Sequence, residues 1–308
     1  RHLGTPARLS GPRRHIHLAP VGGIARDMFI AALLDALPDL QDHVLSEIAA
    51  VVPAESAKAG LERGKSGGMA VLRFRVAVVG KAGAHPGAGH HPHDHVHDHH
   101  HGQPHHDHEH AHPAEDFRSI VGRLERADLA TETRRHALGI LTRIAEAESR
   151  MHAVPLDKVH FHELADWDSV ADVVGAGAIL GALGETSWSI GPLPLGGGLV
   201  KTAHGRLPVP APATTVLLEG LPVTDDGVAG ERVTPTGAAI AAHLHDGLLR
   251  PRPKQARMGP QGMGAGTRDL PDRPNILRAL VLDPAQGQAA ALITGTRGAD
   301  ARHGSDAG

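Results

Sequence analysis

The chain has 308 residues; 41% are hydrophobic but only 2% aromatic, with no Tyr, so any core must rest on Leu, Ile, Val and Ala. A formal charge of -3, from 31 Lys+Arg against 34 Asp+Glu, offers no basic footprint for nucleic acid. There is no Cys, which excludes disulfide frameworks and thiolate metal sites and fits a reducing cytoplasm, and no apolar run approaches the roughly 20 residues of a membrane-spanning helix.

Residues 1–14 are basic without an apolar stretch and read as a disordered leader rather than a signal peptide. Ile16 and Leu18 mark a short strand running into a glycine turn at Gly22 and Gly23. Met28, Ala31, Ala32 and Leu34 then recur at helical spacing between Asp27 and Leu37. Leu72, Phe74, Val76 and Val78 alternate with Arg73 and Arg75, the pattern of a half-buried strand. Residues 81–114 break all periodicity. Between 85 and 112, 14 of 28 positions are His, among Gly and Pro, and a solvated disordered insertion is expected there.

Beyond the insertion, Phe117–Arg126 and Glu132–His152 predict two helices, the second with Leu138, Leu141, Ala145 and Met151 as its inner stripe. Val159 and Phe161 predict a short extended piece, and Asp168–Leu183 an Ala/Gly/Val-rich helix packed closely on its neighbours. Gly191–Pro212 reads as a loop, Ala213–Leu218 and Thr236–Leu244 as helices, and Ile276–Leu282 as a strand, with a loose tail over 284–308. The whole predicts an α/β protein, a mixed sheet with packed helices over 15–80 and 115–283, interrupted by the insertion.

Five places offer chemistry. His160-Phe161-His162-Glu163 would present both imidazoles on one side of an extended segment, and Asp168 and Asp172 lie four apart on one helix face. Two imidazoles and two or three carboxylates are a ligand set for a divalent metal, and the competing reading is a His pair at a strand edge with Asp166 or Asp168 as a helix cap. His91, His93, His95, His97, His99, His101, His106, His108 and His110 of the insertion would collect nickel or zinc loosely, because a disordered loop fixes no geometry. Gly262–Arg268 could bring the backbone at Gly264 and Gly266, and the Arg268 side chain, to a phosphate, or be a tight turn between strands. His204 stands in Thr202-Ala203-His204-Gly205 before the stiff Pro208-Val209-Pro210-Ala211-Pro212. In Val233-Thr234-Pro235-Thr236-Gly237, Thr236 is placed to cap the next helix.

Taken in order, these segments resemble the LarC family. Gly22-Gly23-Ile24-Ala25-Arg26-Asp27-Met28-Phe29 is similar to its opening motif. His160–Glu163 with Asp168-Ser169-Val170-Ala171-Asp172 is similar to its central motif. Ala203–Thr214, Glu231–Ala239, and Gly264–Arg268 before Arg273-Pro274-Asn275 are similar to three further blocks, and the His-rich insertion stands where that family often carries one. The resemblance implies nickel insertion into a pyridinium mononucleotide bearing two thiocarboxylates, giving the nickel-pincer cofactor of lactate racemase with consumption of CTP and use of manganese or magnesium. His160, His162, Glu163, Asp168 and Asp172 become the expected metal-handling centre, with His204 and Asp27 in second rank. The sequence departs from the family at Ala19, where Asp is frequent, and at Arg26, where Gly is usual. It also has no segment resembling the family's CTP-holding domain, so a separate CTP-binding partner chain is one expectation. A nickel chaperone or store without turnover, or a paralogue using another metal or none, are the alternatives.

Overall fold

A computed structural model describes residues 14–79, 116–161, 167–202 and 205–284. The expected leader, His-rich insertion and tail, and the candidates His162, Glu163 and His204, lie outside the described residues, as do Asp166 and Ala203.

The chain runs β1 (His15–Ala19), α1 (Arg26–Ala36), α2 (Gln41–Ala49), β2 (Ala57–Ser66), β3 (Met69–Val78), α3 (Phe117–Arg126), α4 (Thr131–His152), α5 (Trp167–Leu183) and β4 (Ser187–Ile190). It continues through four short strands, β5 (Leu193–Pro194), β6 (Gly196–Gly197), β7 (Leu199–Thr202) and β8 (Gly205–Pro208). It ends with α6 (Pro212–Leu217), β9 (Val223–Thr224), β10 (Gly230–Glu231), α7 (Pro235–His245), β11 (Ala256–Ala265) and β12 (Ile276–Pro284). One mixed sheet of six strands has the order β2-β3-β11-β12-β1-β4, with β3/β11 and β1/β4 parallel and the other pairs antiparallel. The α/β class expected from the sequence is therefore what the chain adopts.

Helix α1 lies between this sheet and α5 and α7, which is why it is apolar nearly all round, with Met28 to Leu34 and Ala36 buried. Trp188 on β4 completes this core, 1% exposed, its ring centroid 6.1 Å from that of Phe29. On the side away from the sheet, α4 packs along α5. A Cβ at Gly177 would meet the backbone of Thr133 and Ala137, so glycine there sets how closely the two helices approach.

Three departures from the sequence reading have physical causes. Of Gly262–Arg268 the first part is not a turn: residues up to Ala265 belong to strand β11, with Gly262 and Gly264 against α1, and only Gly266–Arg268 lie in the connection to β12. A Cβ at Gly264 would collide with the carbonyl of Met28 and the amide of Ala32. The glycines serve strand–helix contact, and their lack of side chains hid the alternation that marks a strand. The inner stripe of α4 is rotated from the expected one: Leu141 and Ala145 are buried together with Ala137, Ile140 and Ile144, whereas Leu138 is half-buried and Met151 is exposed. Thr234, not Thr236, caps α7 by accepting from the Gly237 amide at 3.2 Å. Elements α2 and β2 carried no clear pattern; α2 buries only Val44 and Ile48, and β2 is polar along most of its length.

The β1–α1 connection pairs with the β10–α7 connection, Ile24 donating to the Arg232 carbonyl at 3.0 Å and Thr234 to the Ile24 carbonyl at 3.2 Å. The starts of α1 and α7 are thereby held side by side. Arg232, its side chain 1% exposed, fastens the same point through bonds to the carbonyls of Gly22 (2.5 Å) and Val21 (3.2 Å) and to Asp226 (3.1 Å). Among the described residues no helix is long and apolar enough to cross a membrane.

Candidate functional site

The starts of α1, α5 and α7, the β7–β8 hairpin and the segment after β11 enclose a cleft of about 1490 Å³. Asp27, Asp168 and Asp172 line it as neighbouring carboxyl groups, Asp172 itself buried. Asp168 and Asp172 share a face of α5, and Arg26 from α1 reaches both: Nη2 lies 2.7 Å from Asp168 Oδ2, and Nε is ion-paired with Asp172. Arg26 Nη1 also donates to Ser169 Oγ at 3.0 Å. One guanidinium thus stands between two carboxylates, planar and fork-shaped as such pairs require.

Burial sets the protonation behaviour here. Burial pushes the Asp172 carboxyl well above the usual carboxylate range, with the neighbouring Asp168 and Asp27 adding to the push and Arg26 opposing it. Asp27 is raised for the same first reason, while the Met28 amide and Arg26 hold it partly down. Asp168 Oδ1 is buried and finds no hydrogen-bond partner. Asp27 and Asp172 thus bind a proton more tightly than an ordinary carboxyl group does.

The predicted metal set is only partly gathered. Asp27, Asp168 and Asp172 meet in the cleft. His160 does not join them; it is exposed, and its backbone forms an isolated bridge with Asp116, while the adjoining Phe161 is buried and lines the cleft. Among the described residues no group of three or more His, Asp or Glu side chains is arranged to hold a metal ion. Of the expected phosphate segment, Gly264 is a strand residue packed on α1, and Gly266 and Arg268 line the cleft.

Several lining residues were not singled out from the sequence. Glu148 and His152, four apart near the end of α4, have His152 Nε2 and Glu148 Oε2 3.3 Å apart and face the same space; their spacing on a helix was the available signal. Lys201 and Arg206 pair across the β7–β8 hairpin and line the cleft as well. Their signal was two cations five positions apart, legible only once Leu199–Pro208 is read as paired strands rather than loop.

A family model described as nickel insertion protein matches residues 16–301. Among relatives that carry nickel insertion in their names, the chain is 42% identical over 258 residues to one from Geobacter sulfurreducens, covering 83% of this chain and 58% of the relative. It is 38% identical over 269 residues to one from Geotalea uraniireducens and 39% identical over 269 residues to one from Myxococcus xanthus, covering 87% of this chain and 60% of the relative in both cases. The chain therefore spans about 60% of the length of these relatives. No solved structure matches it. With the family model covering nearly all of the described fold, the chain belongs to the nickel insertion protein family.

Proposed function

We propose that this chain handles nickel for insertion into a pyridinium mononucleotide bearing two thiocarboxylates, forming the nickel-pincer cofactor. The observation that carries the reading is the cleft itself: in a member of a nickel insertion family, it gathers the carboxyl groups of Asp27, Asp168 and Asp172 together with the cations Lys201, Arg206 and Arg268. Insertion breaks a ring C–H bond and forms a carbon–nickel bond, with the two thiocarboxylate sulfurs completing the coordination. The ring proton needs an acceptor, and a carboxylate whose pKa is raised by burial is a stronger base than an ordinary one. Asp27 and Asp172 have that property and are assigned this role.

Nickel is here the cargo rather than a resident ion. The His-rich insertion, including His91, His93 and His95, is assigned its loose collection, and His160, His162, Glu163 and His204 its passage toward the cleft. CTP, with manganese or magnesium, is the activating nucleotide on this reading, with a CTP-binding partner chain as one source, and the cytoplasm is the expected compartment. A second reading, a nickel chaperone or store without turnover, is favoured by the 14 His among residues 85–112.

Incubation with the thiolated mononucleotide, nickel, manganese and CTP, followed by mass spectrometry, tests the proposal. The expected product gains one nickel and loses the ring proton. Nickel bound to the protein with no nickel-containing nucleotide overturns insertion by this chain and leaves the chaperone.

A further inference from the structure

Within the cleft, the cations fall into two groups. Arg26, Arg75 and Arg232 each have a carboxylate partner, in Asp168 and Asp172, Glu62 and Asp226 respectively. Lys201, Arg206 and Arg268 line the same cleft and have no carboxylate partner among the described residues. Lys201 and Arg206 are moreover direct cross-strand partners in the antiparallel β7–β8 hairpin. Like charges in that position destabilise a strand pair by up to about 1 kcal/mol, so fold stability does not account for the pairing.

Arg268 belongs to the same region. Its guanidinium lies over Gly230, where any Cβ would strike it, and donates to the Ala229 carbonyl at 3.3 Å, a bond that leaves its charge uncompensated. Gly230 is in β10, which rests against β7. Glu231, the acid of that strand, is already engaged in an interaction of its own. Four residues on from β10, the 11-residue helix α7 begins, and Thr234, Pro235 and Thr236 of its first turn line the cleft. Thr236 is 4% exposed, and its hydroxyl has no partner among the described residues. A helix start supplies inward-facing amides and a partial positive charge, both suited to an oxyanion.

We propose that Lys201, Arg206, Arg268 and the first turn of α7 with the Thr236 hydroxyl form a phosphate monoester site, and that it anchors the substrate's phosphate while the pyridinium ring extends toward the cleft's carboxyl groups. The identity of the ligand rests on the proposed function; the site rests on this chain's own charges. Three cations suit a phosphate dianion better than a carboxylate, which one guanidinium satisfies. Because the cations stand at the rim, attraction for the ligand is screened by salt.

The test is calorimetric titration of the full chain with nicotinate mononucleotide and with nicotinate riboside, which lacks only the phosphate. The mononucleotide is expected to bind at least tenfold more tightly, with the advantage shrinking as salt is raised. Lys201→Ala and Arg206→Ala are each expected to cut mononucleotide affinity about fivefold, the double variant to abolish the preference, and Thr236→Val to weaken it a few-fold. Melting curves of the same variants separate lost binding from lost folding. Equal affinity for the two ligands in the natural chain, or a preference that survives the double substitution, overturns the site. Failure here with nickel product still formed would leave the proposed function intact. A phosphate-dependent preference without nickel product would leave the site standing and remove the insertion reading.

Discussion

The two charged groups that line the cleft, the carboxyls of α1 and α5 and the cations of the β7–β8 hairpin, are treated in opposite ways. Asp168 and Asp172 share one internal cation, Arg26, and Asp172 is so thoroughly buried that its carboxyl holds a proton more firmly than usual. At the rim, Lys201 and Arg206 are set opposite each other and left in water with no acid among the described residues to balance them. The difference follows from dielectric. An unpaired charge in the interior costs several kcal/mol, so the fold must supply its partner, whereas an exposed pair of like charges costs little and can wait for a partner from solution.

Removing the internal partner is the strongest way to break this contrast. Arg26→Ala strands Asp172 in the interior and is expected to cost about 3 kcal/mol in urea unfolding near neutral pH. The loss should shrink on acidification, since the variant carboxyl is free to take up a proton. Adding Asp172→Asn should recover most of it, and Asp172→Asn alone should leave the melting temperature level or raise it. A loss below about 1 kcal/mol for Arg26→Ala would show that water, not Arg26, compensates the carboxylates.

Acid unfolding sharpens the contrast next. Asp27 and Asp172 have raised folded-state pKa values, so the fold binds more protons there than the unfolded chain does. Their charging disfavours the fold as pH climbs above the usual carboxylate value, and acid relieves it. Acid loss must then come from elsewhere, and His136 and His243 supply it. Their rings share a hydrogen bond of 2.8 Å between α4 and α7, and burial, ahead of the nearby arginines, lowers each to about 4. A lowered His contributes stability that is present above about 6.5 and lost as pH falls toward about 4. The natural chain should lose about 2 kcal/mol over that window in pH-dependent thermal melts, and His136→Gln should flatten the slope. An unchanged slope would show that the pair is already protonated or already solvated.

The rim gives the smallest effect. Arg206→Gln removes one member of the like-charge pair and is expected to leave unfolding free energy unchanged or to raise it by a few tenths of a kcal/mol. A loss greater than about 1 kcal/mol in urea titration would reveal a structural partner for Arg206 and remove the reason to regard the pair as awaiting a ligand.

The amino-acid sequence by itself determined the α/β class and most of the helices. Apolar spacing in α1 and α5 and alternation in β3 are local properties that survive without tertiary context. The ordered motifs likewise pointed to the family, and the i, i+4 spacing of Asp168 and Asp172 was enough to place them on one face. Only the tertiary structure decided what those carboxylates meet. Arg26, which in the sequence is no more than a residue where the family usually has glycine, lies 142 positions before Asp168 and comes to it through the packing of α1 against α5. β11 was illegible because its glycines exist to let α1 approach, a requirement set by another element rather than by the strand. Lys201, Arg206, Arg268 and Thr236 come from three separate segments, and no periodicity within one segment signals that they share a cleft. Sequence pattern records what each element buries; which charges are brought together, and which are left uncompensated, depends on contacts between elements far apart in the chain.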